Sequence, residues 1–339
     1  MRNPMTLRTQ MLKNAPRSAA IQEGQSLESW QEAARAKLGE LLGLPFERCE
    51  DDQFRLEEQI EHDEFTEYKL AYHTEESFEV IANLRIPKDA PDGIPVVICL
   101  QGHSKGMHIS LGQVIYEGDE KSIYGGDRNF AVQIVKKGYA ALALEQRAFG
   151  KCGGTESGPA CYQPAMSAIL LGRTLVGERV WDISRTIDML EKHFPQLDAK
   201  RVAVMGNSGG GTATIYAAAM DTRIAAAMPS CAMCGYTESI GVQHHCACNY
   251  IPNIMKHFDM GDLAGLIAPR PLVVVNGQED GIFPIESAKG QVAIAKAYYA
   301  LAGAEALCRH VIGAEGHRFY AADAWPVFDE ITGWEGKAL

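Results

Sequence analysis

The chain has 339 residues, 46% of them hydrophobic, which is enough for one large domain with insertions or for two modest domains. Its 32 basic and 43 acidic side chains give a formal net charge of −11, which argues against a surface for nucleic acid or an anionic membrane. The sequence contains no run of 18 apolar residues, so we expect no membrane-spanning helix.

The N-terminus and the cysteine content predict a cytoplasmic protein. The first 25 residues are polar and lack the continuous apolar stretch of a secretory signal. Nine cysteines, an odd number scattered through a chain of this size, do not resemble a disulfide framework. We therefore expect a reducing cytoplasmic environment and no nucleic-acid or membrane partner.

The first predicted element is an amphipathic helix over residues 27–43. Apolar side chains recur there at helical spacing, at Leu27, Trp30, Ala34, Leu38 and Leu41. We expect residues 1–60 to form an N-terminal helical extension. Two extended segments rich in β-branched and aromatic residues follow, at 67–74 and 77–87.

From residue 96 onward, short apolar runs alternate with helical stretches. The runs are 96–100, 139–145, 201–206, 223–229, 271–277 and 307–313, and the helices between them are 127–137, 179–193, 210–220 and 286–302. Uninterrupted apolar strands that alternate with helices predict an α/β fold, in which helices cover both faces of a mostly parallel sheet. Ligands bind such sheets beyond the carboxyl ends of the strands.

Two long connections interrupt this alternation, at about 102–126 and 231–265. Connections of this length in a compact domain are more often lids or binding loops than idle coil. We therefore treat both as insertions that shape a binding site.

The most informative stretch is GNSGG, residues 206–210, which fits the pattern G-x-S-x-G between an apolar run and a helix. In a nucleophile elbow of this kind, a strained backbone lifts the hydroxyl of Ser208 above the sheet, and the glycines remove side chains where strand and helix nearly touch. A phosphate-binding loop or a purely structural turn is the alternative. The glycine patterns typical of phosphate loops are absent.

A serine nucleophile needs a base, and the base needs an acid to orient it. Asp280 follows the run 271–277, and His317 follows the run 307–313, so both lie after strands in the order Ser, Asp, His. Glu279 and Glu315 are alternative acids. Asp280 could also be a turn residue, and His317 a structural histidine.

The oxyanion formed by nucleophilic attack needs preorganised N–H donors. We expect one from the backbone of Gly209, directly after the serine, and the second from the backbone of His103 in the loop after residues 96–100. The alternative is that this loop merely turns. The substrate pocket is expected to include Gln101, His244, His245 and Tyr250.

The segment 230–259 is unusually rich in cysteine and histidine. It contains Cys231, Cys234, His244, His245, Cys246 and Cys248, which raises the hypothesis of a zinc site. The spacing is loose, so a lid or substrate pocket, or plain packing of small cysteines, explains the segment more simply. We predict no metal ligand and no required cofactor.

These motifs resemble the α/β-hydrolase superfamily, and within it the branch of acetyl xylan esterases, cephalosporin-C deacetylases and dienelactone-hydrolase-like esterases. The similarity covers roughly residues 80–335, and residues 61–339 are expected to form the catalytic domain. Besides the serine, acid and histidine, it rests on LQGH (100–103), LEQRAFG (144–150) and PRPLVVVNGQEDGIFP (269–284). The resemblance implies that Arg147 and Asp182 form a structural, buried ion pair. It also suggests a homo-oligomer, since esterases of this branch are often oligomers.

The chain departs from these relatives at several positions. Acetyl xylan esterases commonly carry Gln after the serine and Tyr in the oxyanion loop, where this chain has Gly209 and His103. Ala148 replaces an expected glycine, and dienelactone hydrolases use a cysteine where Ser208 stands. The sequence therefore predicts a serine hydrolase for small carboxylic esters, in particular acetyl esters of carbohydrates. A peptidase, a lactonase or a noncatalytic binding protein of the same fold is the alternative.

Overall fold

A nine-stranded sheet forms the centre of the fold in the computed structural model, which describes residues 3–334. In spatial order the strands are β1, β2, β3, β5, β4, β6, β7, β8 and β9. Their bounds are Arg55–Glu61, Phe65–Glu75, Phe78–Pro87, Ile94–Leu100, Ala140–Leu144, Leu197–Asn207, Ile224–Ser230, Leu272–Gly277 and Cys308–Gly313 for β1 to β9. The first three strands and the β3–β5 pair are antiparallel, and β5, β4 and β6 to β9 are parallel.

Helices surround this sheet. The helices α1 to α11 are Pro4–Lys13, Leu27–Leu42, Asp119–Ile123, Phe130–Lys136, Tyr162–Leu170, Leu175–His193, Gly209–Met220, Ile254–His257, Met260–Gly265, Ile285–Leu301 and Ala321–Thr332. Short 3-10 helices lie at Met107–Ile109, Ala247–Asn249 and Glu305–Leu307. The predicted α/β fold with a mostly parallel sheet is confirmed.

Both faces of the sheet are buried, which explains why its strands are continuously apolar. In β4, Val96 and Ile98 belong to the apolar cluster that also contains residues of α2, α6, α7 and α10. Val97 and Cys99, which point the other way, belong to the cluster that contains residues of α4 and α11. Side chains of a strand alternate between faces, so a strand covered on both sides needs an apolar residue at every position.

The predicted helix at 27–43 is confirmed as α2. Ser26 caps its first turn, and Gly43, with φ of 82°, ends it in the left-handed conformation that favours glycine. Its buried face includes Trp30, whose ring stacks on Tyr298 at a centroid distance of 4.4 Å. The helix therefore packs onto the core formed by the main sheet.

Strand β1 crosses the predicted boundary at residue 60 and pairs with β2. It is charged and almost wholly exposed, as an edge strand can be, so it shows no apolar run. The division into an extension of residues 1–60 and a catalytic domain of residues 61–339 stays a prediction, and the last five residues of that domain lie outside the described residues. In residues 3–334, no helix is both long and apolar enough to cross a membrane.

Candidate active site

Ser208 occupies the sharp turn between β6 and α7, with φ of 56° and ψ of −119°. This is a strained conformation for a residue with a side chain. The glycines around it are sterically required, because a Cβ on Gly210 would lie 2.2 Å from the carbonyl oxygen of Leu100. A Cβ on Gly206 would lie 2.6 Å from that same oxygen. The turn has the geometry of a nucleophile elbow.

His317 and Asp280 are hydrogen-bonded at the same edge of the sheet. Nδ1 of the histidine lies 2.8 Å from Oδ2 of Asp280. The carboxylate also accepts backbone N–H bonds from Ile282 at 2.9 Å and Phe283 at 3.1 Å. Burial alone would raise the pKa of Asp280, but His317 and these N–H groups outweigh it and hold the pKa below its usual value. The ionised carboxylate can only accept, so Nδ1 donates and Nε2 is left to take a proton.

A short network joins the elbow to the histidine loop. The backbone N–H of Ser208 donates to the carbonyl of Ser230 at 2.8 Å, and the Ser230 hydroxyl donates to the carbonyl of Arg318 at 3.5 Å. Half-buried Arg128 links the histidine loop to the loop after β4, because its Nη2 donates to the carbonyl of His317 at 3.1 Å and its own carbonyl accepts from the Gln101 side chain at 3.0 Å. These contacts hold Ser208 and His317 at one rim of the sheet.

The loop after β4 lies directly against the elbow. A Cβ on Gly102 would lie 3.0 Å from Cβ of Ser208, and one on Gly209 would lie 2.7 Å from Cε1 of His103. Within residues 3–334, neither the backbone N–H of Gly209 nor that of His103 donates a hydrogen bond. Both N–H groups therefore remain available to a ligand, as an oxyanion hole requires.

Gln101 does not line the pocket as predicted. Its side chain is buried, and its amide nitrogen donates to the Ser110 hydroxyl and to the carbonyl of Arg128. Gln146 in turn donates to the carbonyl of Gln101. The side chain therefore braces the loop after β4 from inside the protein.

A cavity of about 760 Å³ opens beside the elbow. It is lined by His103, Pro159, Cys161, Tyr162, Met166, Ile169, His244, His245, Cys246, Ala247 and Tyr250. The predicted pocket residues His244, His245 and Tyr250 are therefore among its walls. Among the described lining residues there is no lysine or arginine. A second cavity, of about 960 Å³, is lined by residues of α2, α6 and the turn after α7. None of the predicted site residues lines this second cavity.

The segment after β7 reaches the histidine through aromatic contacts. The ring of His245 packs edge-on against Phe283 at 5.4 Å, and Phe283 stacks on His317 at 5.8 Å. Burial, followed by the charges of His103, His244 and His317, lowers the pKa of His245. Both effects favour the neutral imidazole of His245, which lines the cavity and also contacts Phe283.

Three of the four cysteines of this segment fall into two groups. Cys231 lies near Asp280 and His317, and its thiol donates to the carbonyl of Arg318 at 3.2 Å. Cys246 and Cys248 lie instead with His103 and Cys161. Cys161, Phe283 and Arg128 are neighbours of the site that sequence reasoning missed. Of these three, only Phe283 could have been found from the sequence, because it lies three residues after Asp280.

Arg147 and Asp182 form the buried ion pair that the resemblance implied. The guanidinium donates from Nε and Nη2 to the two carboxylate oxygens, both at 2.7 Å. Arg147 also contacts Glu75 at 2.6 Å, which joins the strand β2 to helix α6. Ala148, next in sequence, has φ of 67°. This left-handed conformation favours glycine, which is the residue that the resemblance leads us to expect at this position.

A model of the Abhydrolase family matches residues 6–299, so the chain belongs to this family. The chain is 26% identical over 234 residues to YtaP of Bacillus subtilis strain 168, a protein named as a hydrolase candidate. That alignment covers 68% of this chain and 75% of YtaP.

Two solved structures share the fold at low sequence identity. A candidate acetyl xylan esterase from Bacteroides fragilis superposes with a TM-score of 0.77 at 17% identity, covering 96% of this chain and 84% of that one. A glucuronoyl esterase from Solibacter usitatus has a TM-score of 0.70 at 18% identity, covering 94% of this chain and 97% of that one. Both are esterases by name, on the same α/β-hydrolase architecture.

Proposed function

We propose that this member of the Abhydrolase family is a serine hydrolase for small carboxylic esters, in particular acetyl esters of carbohydrates. The observation that carries the proposal is the bond between His317 and Asp280, at the same sheet edge as the strained turn of Ser208. The names of the structural neighbours support ester chemistry in this fold.

In the proposed reaction, the hydroxyl of Ser208 attacks the ester carbonyl while Nε2 of His317 takes its proton. Asp280 holds the imidazole and stabilises its charged form. The backbone N–H groups of Gly209 and His103 stabilise the negative oxygen of the tetrahedral intermediate. His317 then protonates the leaving alcohol, and activates the water that releases the acid and regenerates the serine.

The cavity supports a neutral, carbohydrate-sized substrate. Its volume of about 760 Å³ falls in the range of ligand pockets. Tyr162 and Tyr250 are 71% and 42% exposed at its walls, which leaves aromatic faces for the apolar side of a sugar ring. The described lining contains no lysine or arginine to pair with an anionic acyl group.

A substrate panel tests this proposal. We expect acetylated sugars to be hydrolysed with higher kcat/KM than butyryl esters of the same alcohols, because the acyl group must fit between Gly209, His103 and His317. Methyl esters of glucuronic acid, lactones and peptide anilides are run beside them. Preference for any of these three over acetyl esters would overturn the proposed substrate class while leaving serine hydrolysis in place.

A further inference from the structure

Three thiols and an imidazole converge beside the candidate active site. Sγ of Cys161, Cys246 and Cys248 and a ring nitrogen of His103 all lie within 4.8 Å of one another. Nε2 of His103 is 3.2 Å from Sγ of Cys248. The four residues come from three separate segments: the loop after β4, the residue before α5 and the segment after β7.

We infer that these four side chains bind a structural zinc ion. Cys₃His is a standard ligand set for tetrahedral zinc, and four protein ligands close the coordination sphere. Zinc–sulfur bonds of about 2.3 Å place sulfur atoms about 3.8 Å apart in a tetrahedron, so the cluster needs to contract by about 1 Å at most. Soft thiolate ligands favour zinc over magnesium, calcium or manganese.

Arg179 gives independent support for charged sulfurs at this position. It is 2% exposed, and its guanidinium lies 3.3 Å from Sγ of Cys161. Its other hydrogen bonds go to the carbonyl of Arg147, and no ion pair in residues 3–334 gives it a carboxylate partner. A buried cation needs a counter-charge. Three thiolates, a neutral imidazole and a divalent cation leave one negative charge, which Arg179 balances.

The surroundings of the cluster also fit a structural metal. Cys161 and Cys248 are each 2% exposed and belong to a small apolar cluster with Phe149 and Leu175. The ring of Phe149 lies between Arg179, at 4.5 Å, and His103, at 5.4 Å. Water is thus largely excluded from Cys161 and Cys248, while Cys246 is half-buried and lines the cavity.

A zinc ion at this position would hold together the part of the cavity wall that His103, Cys161 and Cys246 form. It would connect the segment after β7, through Cys246 and Cys248, to the loop after β4. The backbone N–H of His103 in that loop is one of the proposed oxyanion donors. Coordination through Nε2 places the remaining proton of His103 on Nδ1, and this is the ring edge that faces Gly209. The ion would act as a positioning element and would not contact the reacting atoms.

Metal analysis of the full-length protein, purified with a non-chelating reductant, tests the inference. We expect about one zinc per chain, and at least a tenfold loss of zinc in Cys161→Ser and in Cys248→Ser. Cys234→Ser is the matched control, because Cys234 lies in the same segment but outside the cluster, and its thiol donates to the carbonyl of Pro284 at 3.8 Å. This control should keep its zinc.

A second measurement does not depend on the folding of variants. Metal-depleted wild-type protein is titrated with Co²⁺, and thiolate-to-cobalt charge-transfer absorption that Zn²⁺ abolishes is expected. Ser208→Ala should bind both metals as the wild type does, so the zinc site is judged separately from the proposed esterase activity. Failure of the reduced wild type to bind either ion, or a disulfide from Cys161 to Cys246 or Cys248 in the purified protein, would overturn the inference.

Discussion

His317 and Asp280 are joined by a 2.8 Å hydrogen bond, although 37 residues separate them in the chain. The carboxylate is fully buried, while the imidazole is 21% exposed. The acid is therefore shielded from water, and the base remains open to a substrate.

Asp280→Asn should lower kcat by about 10³- to 10⁴-fold with little change in fold, because the amide cannot hold the imidazole in the same tautomer. Steady-state kinetics on an activated acetyl ester measures this. Glu279→Gln is the control, since Glu279 is adjacent but exposed and should retain the wild-type rate. Equal loss in both variants would show that Asp280 has no special role.

Gly209→Ala should reduce kcat by about 100-fold, because the new methyl group would lie 2.7 Å from the His103 ring and displace the loop after β4. Gly281→Ala is the control, because a Cβ at that position meets no atom within 4 Å. The two variants are compared in kcat and in thermal melting. A wild-type kcat in Gly209→Ala would mean that the position of His103 does not matter for catalysis.

Glu145 makes stability depend on pH. Burial raises its pKa to about 7, and the N–H of Met107, which donates to it at 3.1 Å, offsets this only in part. The folded state therefore holds a proton that the unfolded chain loses near pH 4.5. The stabilisation is complete below pH 4.5 and is lost as the pH rises through 7, amounting to up to about 3 kcal/mol.

Glu145→Gln tests this dependence, since the amide resembles the protonated acid and does not titrate. Relative to the wild type, its free energy of unfolding should increase between pH 5 and pH 8, as measured by urea denaturation at each pH. A constant difference between the two proteins over that range would show that Glu145 is ionised in the folded state.

Arg147→Met should lower the free energy of unfolding by about 3–5 kcal/mol, because it leaves the buried carboxylate of Asp182 without its cation. The control is Lys289→Met, which removes an exposed ion pair with Glu286 and should cost less than about 1 kcal/mol. Chemical denaturation of both variants compares the two losses. Similar small losses would mean that Asp182 is neutral or hydrated in the folded protein.

The sequence predicted the parts of the site that follow directly from strand ends. Ser208, Asp280 and His317 each stand a few residues beyond an apolar run, and parallel strands bring such positions to one edge. Gln101 has the same placement, but the direction of its side chain depends on the hydrogen bond to Ser110, which no local pattern reveals. Its predicted place in the pocket is therefore not supported by the lining of the cavity.

The cysteine cluster shows a different limit of sequence reasoning. Cys246 and Cys248 were visible as a local pattern, but their partners Cys161 and His103 lie far away in the chain. Cys231, Cys234 and His244 are closer in sequence, and none of them belongs to that cluster. Only the packing of three loops against one another brings these four residues together, so the spacing of the segment alone could not identify them.

A fluorophosphonate probe on the folded protein tests whether Ser208 is the nucleophile. We expect stoichiometric labelling, mapped by mass spectrometry to Ser208, with parallel loss of esterase activity. Ser208→Ala should not be labelled, and its kcat should be lower by several orders of magnitude. Labelling at another residue, or near-normal turnover by Ser208→Ala, would show that Ser208 is not the nucleophile.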